Sequence, residues 1–144
     1  DPVLEPVSGI YRLGIDCVTR RVVLESTIIK LQVWDGNALG NGHYSSVPFK
    51  SAHIVLIVFD VTQKASFDRI PQILTETRKN LQLHDSADAV LLLFANLTNK
   101  DASLRVVSYQ NAKRFANERG LVYLEANVND PQSVDEAFSR LAAE

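Results

Sequence analysis

The chain has 144 residues, 46% of them hydrophobic and 22% charged, which is enough apolar material for one globular domain. Fifteen Lys and Arg against seventeen Asp and Glu leave a formal net charge of −2, a balance that argues against a nucleic-acid function. The single cysteine, Cys17, excludes an internal disulfide and, alone, a zinc site, and it suits a reducing compartment.

No apolar run reaches the roughly 18–20 residues that span a bilayer, and neither end carries a signal peptide or a lipidation motif, so a cytoplasmic protein with no direct membrane anchor is expected. In chain order, Cys17 to Leu24 and Thr27 to Trp34 are rich in Val and Ile and flank Glu25-Ser26, which predicts a β-hairpin without a turn glycine. His53 to Asp60, Ala89 to Ala95 and Leu121 to Ala126 are nearly continuous apolar runs, the pattern of parallel strands buried on both faces. Phe67, Ile70, Leu74 and Leu81 recur at helical spacing behind Ser66 as an N-cap, and Pro71 is expected to remove a hydrogen bond or kink that helix. Ser108 caps a second helix, with Tyr109, Ala112, Phe115 and Ala116 as its apolar stripe and Gly120 at its left-handed end. Ser133-Val-Asp-Glu136 has the form of a capping box opening a third helix, whose stripe is Val134, Ala137, Phe138 and Leu141. This order predicts a single α/β layered domain over residues 1–144, with any ligand at the carboxyl ends of the parallel strands.

The same residues resemble the Ras superfamily of small GTPases, the Rab branch most closely. Leu13-Gly14-Ile15-Asp16, the hairpin, and Leu31-Gln-Val-Trp34-Asp35 are similar to the family's run from switch I to the start of switch II. Ser51-Ala52-His53 through Val61-Thr62 resembles its central strand, and Val107-Ser108 through Glu125, then Val134 to Phe138, resemble its last two helices and the strand between them. The resemblance implies a small-GTPase-like, P-loop NTPase-type fold. Because the recorded residues open at switch I, the fold is expected to be incomplete at the N-terminus, without the family's first strand, phosphate loop and first helix.

The resemblance breaks in the loops that carry the family's chemistry. The phosphate loop needs Gly-x4-Gly-Lys-Ser/Thr so that backbone N–H groups and a lysine can cradle phosphates, and no Gly-Lys pair occurs here. Arg12 stands where the family presents a threonine to Mg²⁺, and a guanidinium has no acceptor to offer a metal. The Asp-x-x-Gly element reads Asp35-Gly36-Asn37-Ala38, and Leu39 replaces the glutamine that orients the attacking water. The guanine-reading Asn-Lys-x-Asp reads Asn96-Leu97-Thr98-Asn99, with an amide where the carboxylate would accept two guanine N–H bonds. Asn127-Val128-Asn129 replaces the small-residue loop that meets the base.

These departures, set in an intact scaffold pattern, lead to a non-catalytic Rab-like domain serving as an interaction or scaffold subunit of a trafficking, ciliary or other multiprotein assembly. No catalytic or metal-ligating residue is assigned. Asp35 and Asn96 are vestigial nucleotide positions, expected to act as strand-end caps or turn formers. Partner contact is expected from the switch-like surface through Arg12, Trp34, Leu39 and Tyr44, with Arg20, Arg21 and Lys30 adding positive charge on the hairpin. The alternative is a small GTPase that binds GTP or GDP with Mg²⁺ weakly and hydrolyses slowly, its phosphate loop lying outside these residues. Gly36 to Gly42 is read as a flexible loop, His43, His53 and His84 as too scattered for a metal site, and Cys17 as a structural thiol.

Overall fold

The computed structural model describes residues 5–6, 16–35, 49–97 and 102–143. Strands β2 (Asp16–Leu24) and β3 (Thr27–Asp35) form the expected hairpin, paired in register from Asp16↔Asp35 to Leu24↔Thr27. Glu25 takes the turn's positive φ of 54° in place of glycine. A two-residue strand β1 (Glu5–Pro6), which the sequence pattern did not indicate, adds antiparallel to β2.

The second sheet is parallel, in the order β4 (Ile54–Asp60), β5 (Val90–Asn96), β6 (Val122–Ala126), each within one residue of its predicted start. Leu92, Leu93 and Ala95 are fully buried, so β5 is covered on both faces as its continuous apolar run requires. Strand β4 departs from that expectation, because Val58 is 55% exposed. Among the described residues no strand bonds to the free edge of β4 or to the outer edge of β3, and the two sheets share no ladder.

The first predicted helix is two. Helix α1 (Lys64–Asp68) ends at Arg69, and α2 (Ile70–Leu83) starts there with Pro71 in its first turn, where a missing N–H costs nothing. Ser66 is therefore not an N-cap. It lies inside α1, its hydroxyl accepting from the Asp60 N–H at 3.0 Å and donating to the Gln63 carbonyl at 2.7 Å. Helix α3 (Tyr109–Glu118) follows a short 3₁₀ turn at Ala102–Leu104; Ser108 caps it by accepting from the Asn111 N–H at 3.2 Å, and Gly120 closes it at φ 66°. Helix α4 (Pro131–Leu141) begins two residues before the predicted capping box. Pro131 favours the first helical position and Asp130 is the cap, so Ser133 lies inside the helix and accepts from the Asn127 N–H at 2.9 Å.

Two apolar clusters make the layers. On one face of the parallel sheet Ile57, Phe59, Leu93, Ala95 and Tyr123 meet α2 and α3 through Ile70, Leu74, Ala112 and Ala116. Phe67 joins this layer edge-on, its ring 5.0 Å from Phe59 and 5.2 Å from Phe115. On the other face Leu92 and Leu124 meet Leu141 and Phe138 of α4, and Leu31 of the hairpin reaches the same cluster.

Arg20 completes that junction and corrects its expected place on an open basic face. It is 7% exposed, its guanidinium pairs with Asp135 of α4, and it lies over the Phe138 ring at 4.5 Å from the centroid. Its Nε is buried and, among the described residues, has no hydrogen-bond partner. Asp135→Ala leaves this buried guanidinium unpaired and is expected to destabilise the fold by about 2 kcal/mol in urea unfolding. Pairing it with Arg20→Met is expected to recover most of that loss, because an apolar side chain fills the seat without a charge to compensate.

Candidate functional site

The carboxyl ends of the parallel strands fall level. Asp60 pairs with Asn96 and Asn96 with Ala126, so the edge where an α/β sheet holds its ligands is one row across three strands. Most of its polar groups are taken by local turns. Asp60 Oδ1 accepts from the Thr62 N–H at 2.8 Å and the Thr62 hydroxyl at 2.7 Å. Asn127 Oδ1 accepts from the Asn129 N–H at 2.9 Å, and Asp130 Oδ1 from the Gln132 N–H at 3.2 Å. Asn96 differs, since its Oδ1 is buried and, among the described residues, has no hydrogen-bond partner. Such an orphan needs an explanation, because leaving a buried acceptor unsatisfied costs about 1–3 kcal/mol. The turn-forming role expected of Asn96 does not use this atom.

Beside that row lies a polar network that the sequence reading missed. Arg105 Nε donates to the Val107 carbonyl at 2.6 Å, and its Nη1 and Nη2 donate to the two Glu125 oxygens at 3.2 and 2.5 Å. The Tyr123 hydroxyl donates to Glu125 Oε1 at 2.5 Å. The bidentate pair ties the segment after the 3₁₀ turn to β6. Burial pulls the Glu125 carboxyl upward, but the hydrogen bonds from Arg105 and Tyr123 and the Arg105 charge outweigh it, and the net shift is downward. Burial and the bond to Glu125 push the Tyr123 phenol up. The signal available in the sequence was a lone carboxylate in an otherwise apolar strand, which rarely lies there without a partner.

The hairpin has two unlike faces. Arg20, Val22, Ile29 and Leu31 belong to the face turned to α4, and the opposite face carries four cross-strand pairs: Cys17/Trp34, Thr19/Gln32, Arg21/Lys30 and Val23/Ile28. Val23 and Ile28 are 65% and 69% exposed. Arg21 and Lys30, both exposed, place like charges directly opposite each other, an arrangement that destabilises a hairpin unless a counter-charge joins it. Trp34 and Cys17 are half-buried, and burial pushes the Cys17 thiol up, away from thiolate chemistry.

Comparison with known proteins decides the family. The model of the Ras family matches residues 8–144. The chain belongs to the Ras family. Its small-GTPase domain is Rab-like: it is 36% identical over 138 residues to the Ras-related protein Rab-26 of Bos taurus, a match covering 94% of this chain and 51% of that protein. It is 33% identical over 135 residues to the GTP-binding protein ypt3 of Schizosaccharomyces pombe, covering 92% of this chain and 60% of that one. It is also 33% identical over 140 residues to the Ras-related protein RIC1 of Oryza sativa, covering 95% and 66%. The chain thus spans about half to two thirds of the length of these relatives.

Within this Ras-family domain the expected site residues separate. Asp35 ends β3 in the hairpin and is exposed, whereas Asn96 ends β5 in the row of strand ends. Trp34 pairs with Cys17 on the same strand face as Arg21 and Val23 and is half-buried there. Arg12, Leu39 and Tyr44 lie outside the described residues, as do the loop from Gly36 to Gly42, His43, Thr98 and Asn99. Among the described residues no group of three His, Cys, Asp or Glu side chains could hold a metal, and no helix is long and apolar enough to cross a membrane.

The Glu125 network sets a pH dependence. A carboxyl held below its ordinary value near 4.3 contributes stability that is complete above that value and is lost as pH falls through the depressed one. The Tyr123 phenol acts at the other limit, its contribution complete below about pH 10 and lost only at more alkaline pH. Glu125→Gln is therefore expected to cost about 1–3 kcal/mol at pH 7 and to flatten the fall in stability as pH drops below the ordinary carboxyl value of about 4.3, read from urea midpoints at each pH.

Proposed function

We propose that this domain is a catalytically inactive, Rab-like interaction or scaffold subunit whose docking surface is the outer face of the hairpin with the adjoining switch-like segments. The observation that carries this reading is the pairing on that face. An exposed Val23/Ile28 pair beside an exposed like-charged Arg21/Lys30 pair, with Trp34 farther along, is poor chemistry for a free surface and good chemistry for a partner with apolar and acidic groups. We place the protein in the cytoplasm, in a trafficking, ciliary or other multiprotein assembly, with a protein rather than a nucleic acid as its partner.

The residues at the strand ends do not fit a guanine nucleotide as this family holds one. Asn127 Oδ1 is used by its own turn and Asp60 by Thr62, and Asn99 replaces the base-reading carboxylate. Arg12 and Leu39 take the positions of the metal-binding threonine and the water-orienting glutamine, which supports an inactive domain. No catalytic step is assigned.

One observation favours a second reading, a domain that binds GTP or GDP weakly and hydrolyses it slowly: the Oδ1 of Asn96 is a buried acceptor at a nucleotide position, with no donor among the described residues. A thermal-shift titration with GDP and GTP, with and without Mg²⁺, separates the two. A ligand at about 100 times its Kd adds about 2.7 kcal/mol, a rise of several degrees for a domain of this size. A flat midpoint is expected, and a rise of that size replaces the first reading by the second. For the docking surface, Trp34→Ala and Ile28→Asp are each expected to weaken capture of the protein's partners about tenfold or more, the exposed Ile28→Asp leaving the melting profile in place. Unchanged capture by both variants would refute the surface.

A further inference from the structure

On the face of the parallel sheet opposite the hairpin, α2 and the end of α3 flank an open groove of about 380 Å³. Helix α2 carries two stripes. Ile70, Leu74, Thr77 and Leu81 are buried, while Pro71, Leu74, Arg78 and Lys79 line the groove, so Leu74 belongs to both and supplies an apolar floor. Arg119, at the end of α3, forms the facing wall.

Two of the three cations are held in place. Arg78 Nη2 donates to the Arg119 carbonyl at 2.6 Å. The Arg119 guanidinium lies over the Phe115 ring, 3.8 Å from its centroid, and its Nη1 donates to the Phe115 carbonyl at 3.4 Å. Neighbouring carboxylates leave the charge largely uncompensated. Glu118 reaches Arg119 only at 3.4 Å, with both groups substantially exposed, and Glu76 is engaged by Gln72 along its own helix. Among the described residues neither Arg78 nor Lys79 forms a salt bridge. Three positive groups converging on one groove, in a chain of net charge −2, repel one another until a counter-charge enters.

We infer that this groove docks an acidic segment of a partner protein, with its carboxylates against Arg78, Lys79 and Arg119 and a small apolar side chain on Leu74 and Pro71. Guanidiniums fixed by stacking and by a backbone carbonyl lose little freedom on meeting a carboxylate and keep further N–H donors for it. A bilayer surface is planar and engages protruding cations. Here two of the cations are drawn back onto the end of α3 by the Arg78–Arg119 carbonyl bond and the Phe115 stack, and the apolar lining is confined to Pro71 and Leu74, which suits a short peptide segment better than a bilayer. The groove and the hairpin lie on opposite faces, so this is a second surface that stands independently of the hairpin reading.

Fluorescence anisotropy tests it with a labelled peptide of about eight residues, glutamates and aspartates around a central leucine, titrated with the whole chain. Binding is expected, with at least a tenfold loss on Arg78→Glu plus Lys79→Glu, little change on Lys64→Gln, and weakening as salt rises from about 50 to 300 mM. The charge-reversed variant is expected to gain binding to the matching lysine peptide, a readout that requires it to be folded. If the reversed variant melts below the parent, Arg78→Gln plus Lys79→Gln takes its place with the same expected loss. Failure of the acidic peptide to bind, or equal binding by the variants, overturns the inference. So does binding of inorganic phosphate or phosphatidylserine vesicles in place of the peptide, which would assign the groove to a free anion or a membrane.

Discussion

Among the described residues the two sheets share no backbone ladder; side chains join them, and the central one is Arg20. Its guanidinium is buried between the hairpin and α4, paired with Asp135 and lying over Phe138. The neighbouring contact is apolar, from Leu31 to the cluster of Leu92, Leu124 and Leu141. A buried arginine tolerates little displacement, because any movement away from Asp135 leaves a charge in a poor solvent for it. This fixes which face of the hairpin is inward and thereby presents the Arg21/Lys30 pair and the Val23/Ile28 pair outward.

The parallel sheet serves the domain differently at its two kinds of boundary. Its carboxyl edge keeps the level row of strand ends at which α/β domains collect ligands, yet the side chains there mostly serve their own turns, and Asn96 alone among those described retains a buried, unanswered acceptor. The Arg105–Glu125–Tyr123 network holds the segment after β5 against β6, so this edge is braced whatever occupies it. Its broad face toward α2 and α3 is packed by aromatic and aliphatic side chains, and the basic groove lies at the surface between α2 and the end of α3.

Where local pattern and chain geometry agreed, the elements were legible. The runs that became β4, β5 and β6, the Ser108 cap, Gly120 and the stripe of α4 each follow from side-chain periodicity or a single capping atom. The helix starts were misplaced where a competing residue had the stronger claim: Pro71 divides the first helix at Arg69, and Pro131 with Asp130 opens the last one before Ser133. In both cases the displaced serine bonds across a turn, a use that its spacing alone does not reveal.

The sequence by itself determined the α/β class, the Rab-like pattern, and the altered residues at the nucleotide positions, because these depend on residue type and local order. Only the tertiary structure decided what the charges do. Arg20 and Arg21 are adjacent in sequence, but strand alternation sends one into the junction with α4 and the other to the outer face, opposite Lys30. Arg105 and Glu125 are twenty residues apart and meet as a bidentate pair, and Arg78 reaches the carbonyl of Arg119 across forty-one positions. Pairings at such separation are set by how helices and strands pack, which no local window contains.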